Sequence, residues 1–356
     1  MEENKIRIAI THGDTNGIGY ETIFKTFSDP TMLELCTPII YGSPKIAAYH
    51  RKTLGIQANF SIINKAEDAH ADKLNMLTCF DDEVKVELGS PTAASAMAAH
   101  KALTRAFDDA KAGLVDAVVT LPANAMTNSA DDTTGDTSSQ EKPQSTPLVV
   151  HVSDELRIAS VTGDMSLADA LRLLTKELIV EKATMLHDAL RRDFRLSNPR
   201  IALLQVNPQS GTEEEMLLKP AIDDLHAAGV GAFGPYPADA FFSQFEHTKF
   251  DAILTMYHDQ AMAPFRLLSR EADVTLTAGQ PIVVTSPGFG PQYEIAGKGT
   301  ADESALRYAI YLAIDAVRHR RDYDAPLANP LKKLYHEKRD ESEKVRFTIP
   351  KKHEQH

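Results

Sequence analysis

Tryptophan is absent from this 356-residue chain, and cysteine occurs only as Cys36 and Cys79. Two cysteines make neither a disulfide framework nor a zinc-finger spacing, which points to a reducing compartment and two packed core thiols. No apolar run approaches the roughly 18 residues of a membrane span, and the opening MEENKIRIAI lacks a signal peptide's apolar stretch. The expectation is a cytoplasmic protein with no membrane partner. Positive charge is also short: 38 Lys and Arg against 50 Asp and Glu leave a formal net charge of −12. Such a field repels phosphate backbones and argues against nucleic acid as a partner, while a small anion can still bind at a local cationic spot.

Hydrophobic residues make up 43% and charged residues 25%, the composition of a chain that folds. Its length exceeds what one core usually holds, so two lobes with a cleft between them are expected. Short Ile/Val/Leu-rich runs alternate with helical patterns: IRIAIT, TPIIYG, DAVVTLP, ELRIASVTG, RIALLQVN, FDAILTMY and PIVVTS. Such runs belong to strands buried on both faces, hence an α/β protein with a mostly parallel sheet. Helices are predicted from Ser166 to about Phe194, from Glu213 to Ala228 and from Asp302 to His319. Residues 128–147, dense in Ser, Thr, Asp and Gly, read as a mobile loop, and the charge-rich segment after Pro330 as a solvated helix or arm.

In such sheets ligands sit beyond the carboxyl ends of strands, where loops converge. Three polar segments fall there: THGDTNGIG, NPQSG and YHDQ. GDTNGIGYE (Gly13 to Glu21) follows a strand and opens a helix, so it is either an anion-binding turn or simply a glycine-rich one. In YHDQ, His258 is a metal ligand or acid/base with Asp259 beside it, or a histidine satisfied by its neighbours. His187 lies on an apolar helix and fits a packed core histidine as well as a ligand. Asp239 in GPYPADAFF is a catalytic carboxylate or a helix N-cap. NPQSG reads as a turn.

Together and in this order, GDTNGIGYE, VVTLPAN, ELRIASVTGD, LHDALRRDF, PRIALLQVNP, GPYPAD, MYHDQAMAPF and TSPGFGPQYEIAGKGTADE resemble the 4-hydroxythreonine-4-phosphate dehydrogenase family of vitamin B6 biosynthesis. The resemblance spans about residues 6 to 325. It implies a two-lobed α/β homodimer similar to isocitrate and isopropylmalate dehydrogenases. The first lobe would be residues 1–124 with 285–330, the second, with the dimer and metal side, residues 125–284, and 331–356 a charged tail. It implies oxidation of 4-phosphooxy-threonine or a related hydroxy acid by NAD or NADP, with decarboxylation. A divalent metal (Zn, Mg or Co) would polarise the hydroxyl. His187 and His258 would be metal ligands, His258 reaching across from the other subunit, with Asp239 and Asp259 catalytic. Arg266, Thr275 and Asn124 would contact substrate, and Gly290, Gln292, Ala296 and Gly297 the dinucleotide.

The chain departs from the family within the site. The third metal histidine is missing, its interval being the polar stretch at 128–147, and Asp131, Asp132, Asp136 or water would have to replace it. His151, mid-run in PLVVHVSDE, is a poor substitute. Val284, Phe289, Thr275 and Ala125 stand at positions where the family has arginine, histidine, asparagine and lysine, and Arg266 where it has a phosphate-contacting lysine. Gln209 and Asp164 replace two further histidines. Two readings follow: a dehydrogenase, with a substrate that can lack phosphate, or a non-catalytic relative serving as a binding or regulatory protein.

Overall fold

The computed structural model describes residues 5–80, 84–123, 146–269 and 273–329. Asn124, Asp131, Asp132, Asp136, nearly all of the polar stretch and the tail at 331–356 lie outside the described residues. Along the chain run β1 (Ile6–Thr11), α1 (Gly19–Thr26), α2 (Thr31–Leu35), β2 (Cys36–Gly42), α3 (Pro44–Leu54), β3 (Ser61–Ile63), β4 (Asn75–Thr78), α4 (Ala93–Lys111) and β5 (Ala117–Thr120). After them come β6 (Leu148–Ser153), β7 (Leu156–Ser160), α5 (Leu167–Leu173), α6 (Lys176–Arg192) and β8 (Ile201–Leu204). A π-helical turn (Glu214–Leu218) then leads into α7 (Lys219–Ala227), followed by β9 (Ala232–Tyr236), α8 (Ala238–Ser243) and β10 (Ala252–Thr255). The last elements are α9 (His258–Leu268), β11 (Val274–Ala278), β12 (Val283–Pro287) and α10 (Ser304–Ala328).

All the strands join one sheet in the order β3-β4-β2-β1-β5-β12-β11-β6-β7-β10-β8-β9. The six strands from β3 to β12 are parallel, and so are the four from β7 to β9. Between them β11 is antiparallel to both β12 and β6, and β6 is antiparallel to β7. The two parallel sets therefore point in opposite directions. The α/β class matches expectation, with three differences. The central antiparallel strands β6 and β11 were not read, and the predicted helix 166–194 is two helices, since Thr175 starts α6 by accepting the Leu178 N–H. The final helix also continues past His319 to Ala328.

Local chemistry sets the helix ends. Thr92 and Ser95 form a reciprocal capping box at the start of α4. In α3, Ser43 accepts the Ile46 N–H, Pro44 opens the helix, and Gly55 closes it at φ 66°.

Because strand side chains alternate between faces, register assigns every residue to one side of the sheet. One face carries a continuous core in which Ile8, Ile10, Val119, Leu276, Val150, Ala159, Leu254 and Leu203 meet helices α1, α10, α6 and α7. Each buried Ile, Val or Leu there contributes about 1.5–3 kcal/mol. The opposite face is covered in two separate patches. Ala9, Ile39, Tyr41 and Val118 lie under Ala102 and Ala106 of α4. Ile158, Ala202 and Ile253 lie under Phe241 of α8 and Ala261 and Phe265 of α9. Among the described residues no helix core joins the two patches.

Candidate functional site

The gap between the two patches has a polar floor. On β11 and β12 Thr275 faces Ser286, and across β11 and β6 Thr275 faces His151, so all three side chains share one face. Thr120 joins them from β5, two residues beyond Val118 on the same side. All four are partly exposed, whereas their neighbours along the same strands are mostly buried. The Ser286 hydroxyl donates to the Thr120 carbonyl at 2.8 Å, that of Thr275 to the Ser286 carbonyl at 3.4 Å, and that of Thr120 to the Thr285 carbonyl at 3.5 Å. Only the Ser286 contact is within the usual O–H···O range, so the Thr275 and Thr120 hydroxyls are free to turn toward the cleft as donors or acceptors.

Helix α9 forms one wall. Its Phe265 lies against the His151 ring at 5.5 Å, and a turn-end Arg266 reaches toward β12, donating to the Gly288 carbonyl at 3.3 Å. Beneath Arg266 is Asp273, whose Oδ2 lies 2.6 Å from the guanidinium and whose Oδ1 lies 3.8 Å from His151 Nδ1. The approach of Arg266 is close, yet its N–H groups are not aimed for a hydrogen bond, and neither carboxylate oxygen has a hydrogen-bond partner. Arg266 and Thr275, both predicted from sequence, are brought together here. Asp273 was missed, because nothing local marks an aspartate as the partner of an arginine on another element.

The loop after β12 forms the other rim and carries the four predicted dinucleotide contacts. Gly290 is exposed with open space where a side chain would start, Gln292 adopts φ 47° before a single 3₁₀ turn, and Gly297 adopts φ 78°. Tyr293, in that turn, donates to Asp14 Oδ2 at 2.7 Å. Burial and this bond to a carboxylate push the Tyr293 hydroxyl above its ordinary range, so it stays a donor. Asp14 also accepts from Ser95 and from the Asn16 N–H. The GDTNGIG segment therefore anchors the loop rather than facing a ligand. It is buried throughout, and its N–H groups go to Pro122, Asp14 and Pro291 within the fold. Of the two sequence readings, the glycine-rich turn is the one observed. Gly19 is obligatory there, since a Cβ would stand 1.9 Å from the His12 carbonyl oxygen.

The YHDQ corner lies at the other end of α9, about 12 Å along the helix from Arg266. Gln260 closes it: Met256 N–H donates to Gln260 Oε1 at 2.8 Å, and Gln260 Nε2 donates to the Gln205 carbonyl at 2.6 Å. His258 and Asp259 open the helix, His258 partly and Asp259 well exposed. Asp239 is exposed in the first turn of α8, whose N-cap is Pro237, so the N-cap alternative for Asp239 is overturned. Nearby, Glu214 ties the NPQSG turn by accepting the N–H groups of Val206, Asn207 and Gly211. Burial raises the Glu214 carboxyl, but the Asn207 and Gly211 N–H groups outweigh it and hold it below the ordinary range.

His187 is elsewhere. It lies nearly buried on α6, against the continuous core, with Nδ1 3.4 Å from Asp188 Oδ1. Since α6 and α9 cover opposite faces, one chain does not unite His187 with His258. Among the described residues no group of three His, Cys, Asp or Glu side chains is placed to hold a metal. The rim loop suits a dinucleotide better: Gly290 leaves open space and the loop is pinned from below through Tyr293.

Comparison with known proteins agrees with this architecture. The sequence profile of the pyridoxal phosphate biosynthetic protein PdxA matches residues 34–313. A 4-hydroxythreonine-4-phosphate dehydrogenase of Bacteroides thetaiotaomicron is 48% identical over 358 aligned residues, covering 98% of each chain. A D-threonate 4-phosphate dehydrogenase of Cupriavidus necator is 31% identical, covering 85% of this chain and 95% of its own. The crystal structure of 4-hydroxythreonine-4-phosphate dehydrogenase from Klebsiella pneumoniae superimposes with a TM-score of 0.73 at 26% identity, covering 89% of this chain and 99% of its own. With a profile match over most of its length and a relative nearly half identical end to end, the chain belongs to the PdxA family.

Proposed function

We propose that this protein is an NAD(P)-dependent dehydrogenase that oxidises the secondary hydroxyl of a hydroxy acid of the 4-hydroxythreonine class in pyridoxal phosphate biosynthesis. The observation that carries the reading is the uncovered polar floor of Thr120, Ser286, Thr275 and His151 beside an open glycine loop, in a chain of this family. The lobes taken as 1–124 with 285–330 and as 125–284 would close on this floor. Bound dinucleotide supplies the hydride acceptor. The chain's own part is to fix both reactants: the floor residues and Arg266 orient the hydroxy acid, for which Asn124 is a further proposed contact, and Gly290, Gln292, Ala296 and Gly297 the nicotinamide carrier. Asp239 and Asp259 remain candidate acids at the YHDQ corner.

The working assembly is a homodimer. Its support is α5, where Leu167 and Leu171, one turn apart, are 54% and 48% exposed, an apolar strip left toward solvent among the described residues. In a dimer, His187 of one protomer and His258 of the other are the ligands proposed for a divalent metal. The alternative, a non-catalytic family member, is favoured by the incomplete donor set described above.

The test is reduction of NAD and of NADP, followed by absorbance, with 4-hydroxythreonine and its 4-phosphate as substrates. Turnover with either compound is expected, and Gly290→Val should raise the KM for dinucleotide at least tenfold with little change in fold stability. No reduction under any combination, together with no metal retained after dialysis and no thermal shift on adding zinc, cobalt or magnesium, would establish the binding-protein reading instead.

A further inference from the structure

Both acids of GDTNGIGYE reach the rim loop. Asp14 takes its near end through Tyr293, and Glu21, on α1, takes its far end. Between Ile295, where the 3₁₀ turn stops, and Ser304, where α10 begins, neither helix nor strand shapes the chain, and Gly297 and Gly299 adopt φ 78° and 72°. Glycines so placed leave a segment little conformational preference of its own. Its backbone is held instead from α1. The Ala301 N–H donates to Glu21 Oε1 at 2.8 Å, and Lys25, one turn further on, donates from Nζ to the carbonyls of Gly299 and Ala301 at 2.9 and 2.6 Å. Lys25 Nζ also lies 2.9 Å from Glu21 Oε1, so the two side chains form one ion pair, 24% and 1% exposed. Charge-assisted bonds at such a sheltered pair are stronger and less screened than those of a surface pair.

In a trans peptide the C=O and N–H point opposite ways. The grip on the Gly299 and Ala301 carbonyls therefore turns the Thr300 and Asp302 N–H groups away from α1. Thr300 and Asp302 are exposed, whereas Ala301 between them is buried. A Cβ on Gly299 would meet nothing within 4 Å. One side of the turn is thus fixed to the fold, and the other offers backbone donors with room for a ligand. Such donors suit the pyrophosphate of a dinucleotide, which only accepts.

We propose that Lys25 and Glu21 act together as positioning residues for the dinucleotide: they touch neither reactant, and they set the shape in which residues 297–301 receive it. The proposal rests on the dehydrogenase reading and adds to it residues outside the cleft. Its kinetic signature follows from when the ordering is done. A turn that α1 holds in place is ordered before the ligand arrives, whereas a loosened one must be ordered on binding, and that cost falls on affinity. Once the dinucleotide is seated the reacting atoms meet in the same geometry, so kcat changes little.

The experiment compares the full-length wild type with Lys25→Met and with the double variant Glu21→Gln/Lys25→Met. Calorimetric titration with NADH and with NADPH reads affinity, and amide hydrogen exchange reads the loop. Lys25→Met should raise the Kd of the preferred nucleotide at least tenfold and speed exchange at residues 296–303 at least tenfold, with exchange in α4 unchanged and kcat within about threefold of wild type. The double variant strands no buried charge, and its glutamine still accepts the Ala301 N–H. It should show the same loss of affinity, and it decides the matter if Lys25→Met does not fold. A Kd within about twofold of wild type, or loop exchange as slow as in wild type, would overturn the proposal. So would exchange that quickens evenly along the whole chain, since the pair would then support the fold at large. Wild type that binds neither NADH nor NADPH overturns the dinucleotide reading and this proposal with it, whereas tight binding by wild type and variants alike overturns this proposal alone.

Discussion

His12, at the end of β1, is fully buried with neither ring nitrogen hydrogen-bonded. It stacks on Tyr20 at 5.2 Å and meets Phe80 edge-on at 5.7 Å. Burial first, and the neighbouring His50 second, lower its pKa from 6.5 to about 3. His50 is also lowered by burial, against the opposing pull of the Thr15 carbonyl and Glu21. The unfolded chain therefore binds more protons than the native one between the two values. Stability is complete above pH 6.5 and falls as the pH drops toward 3, by up to about 1.4 kcal/mol per pH unit from His12. His12→Phe keeps an aromatic ring between Tyr20 and Phe80 and removes the titrating group. Urea midpoints measured at about pH 5 and about pH 8 should differ clearly in wild type and distinctly less in the variant. An unchanged difference would mean that other groups dominate the acid sensitivity.

At the scale of elements, the Gln260 amide ties the β10 to α9 corner to the end of β8. Gln260→Leu would leave the Met256 N–H and the Gln205 carbonyl buried without partners, a loss of about 2–4 kcal/mol. Denaturant titration should show it, and Gln260→Glu should recover only the Met256 contact. This corner also shows what the sequence made legible. An apolar run stopping at a polar quartet is a strand end, and that strand was readable. The role of the glutamine was not, because its partner, Gln205, is 55 residues away and joins it only through space. The same limit hid the central strands. The β6–β7 turn uses Asp154 at φ 50° where glycine is the usual signal, and VTLTA in β11 alternates threonine with apolar residues, so neither stood out as a buried strand. The floor was invisible for a related reason. Thr120, Ser286, Thr275 and His151 belong to four separate strands, and only cross-strand register puts them side by side. By contrast Arg266, Thr275 and the loop at 290–297 could be named from sequence, since the family motifs carry them.

At the scale of the whole molecule, the exposed leucines of α5 are the feature on which the proposed homodimer rests. Leu171→Glu places a charge on that strip, and a change of oligomer to monomer in light scattering is expected, with the thermal midpoint falling in a concentration-dependent way. A wild-type protein that is monomeric at all concentrations would remove the support for an intersubunit pairing of His187 and His258.

The hydrogen-bonded ladder from β12 through β11 to β6 passes directly beneath the cleft, and α10 spans behind it, touching β5, β12, β11 and α6. A cleft built over an unbroken ladder has no slack joint at its base. Its jaws gain or lose width by changing the coil of that shared ribbon, as a leaf spring flexes, and any movement at one lip is felt along the whole spine.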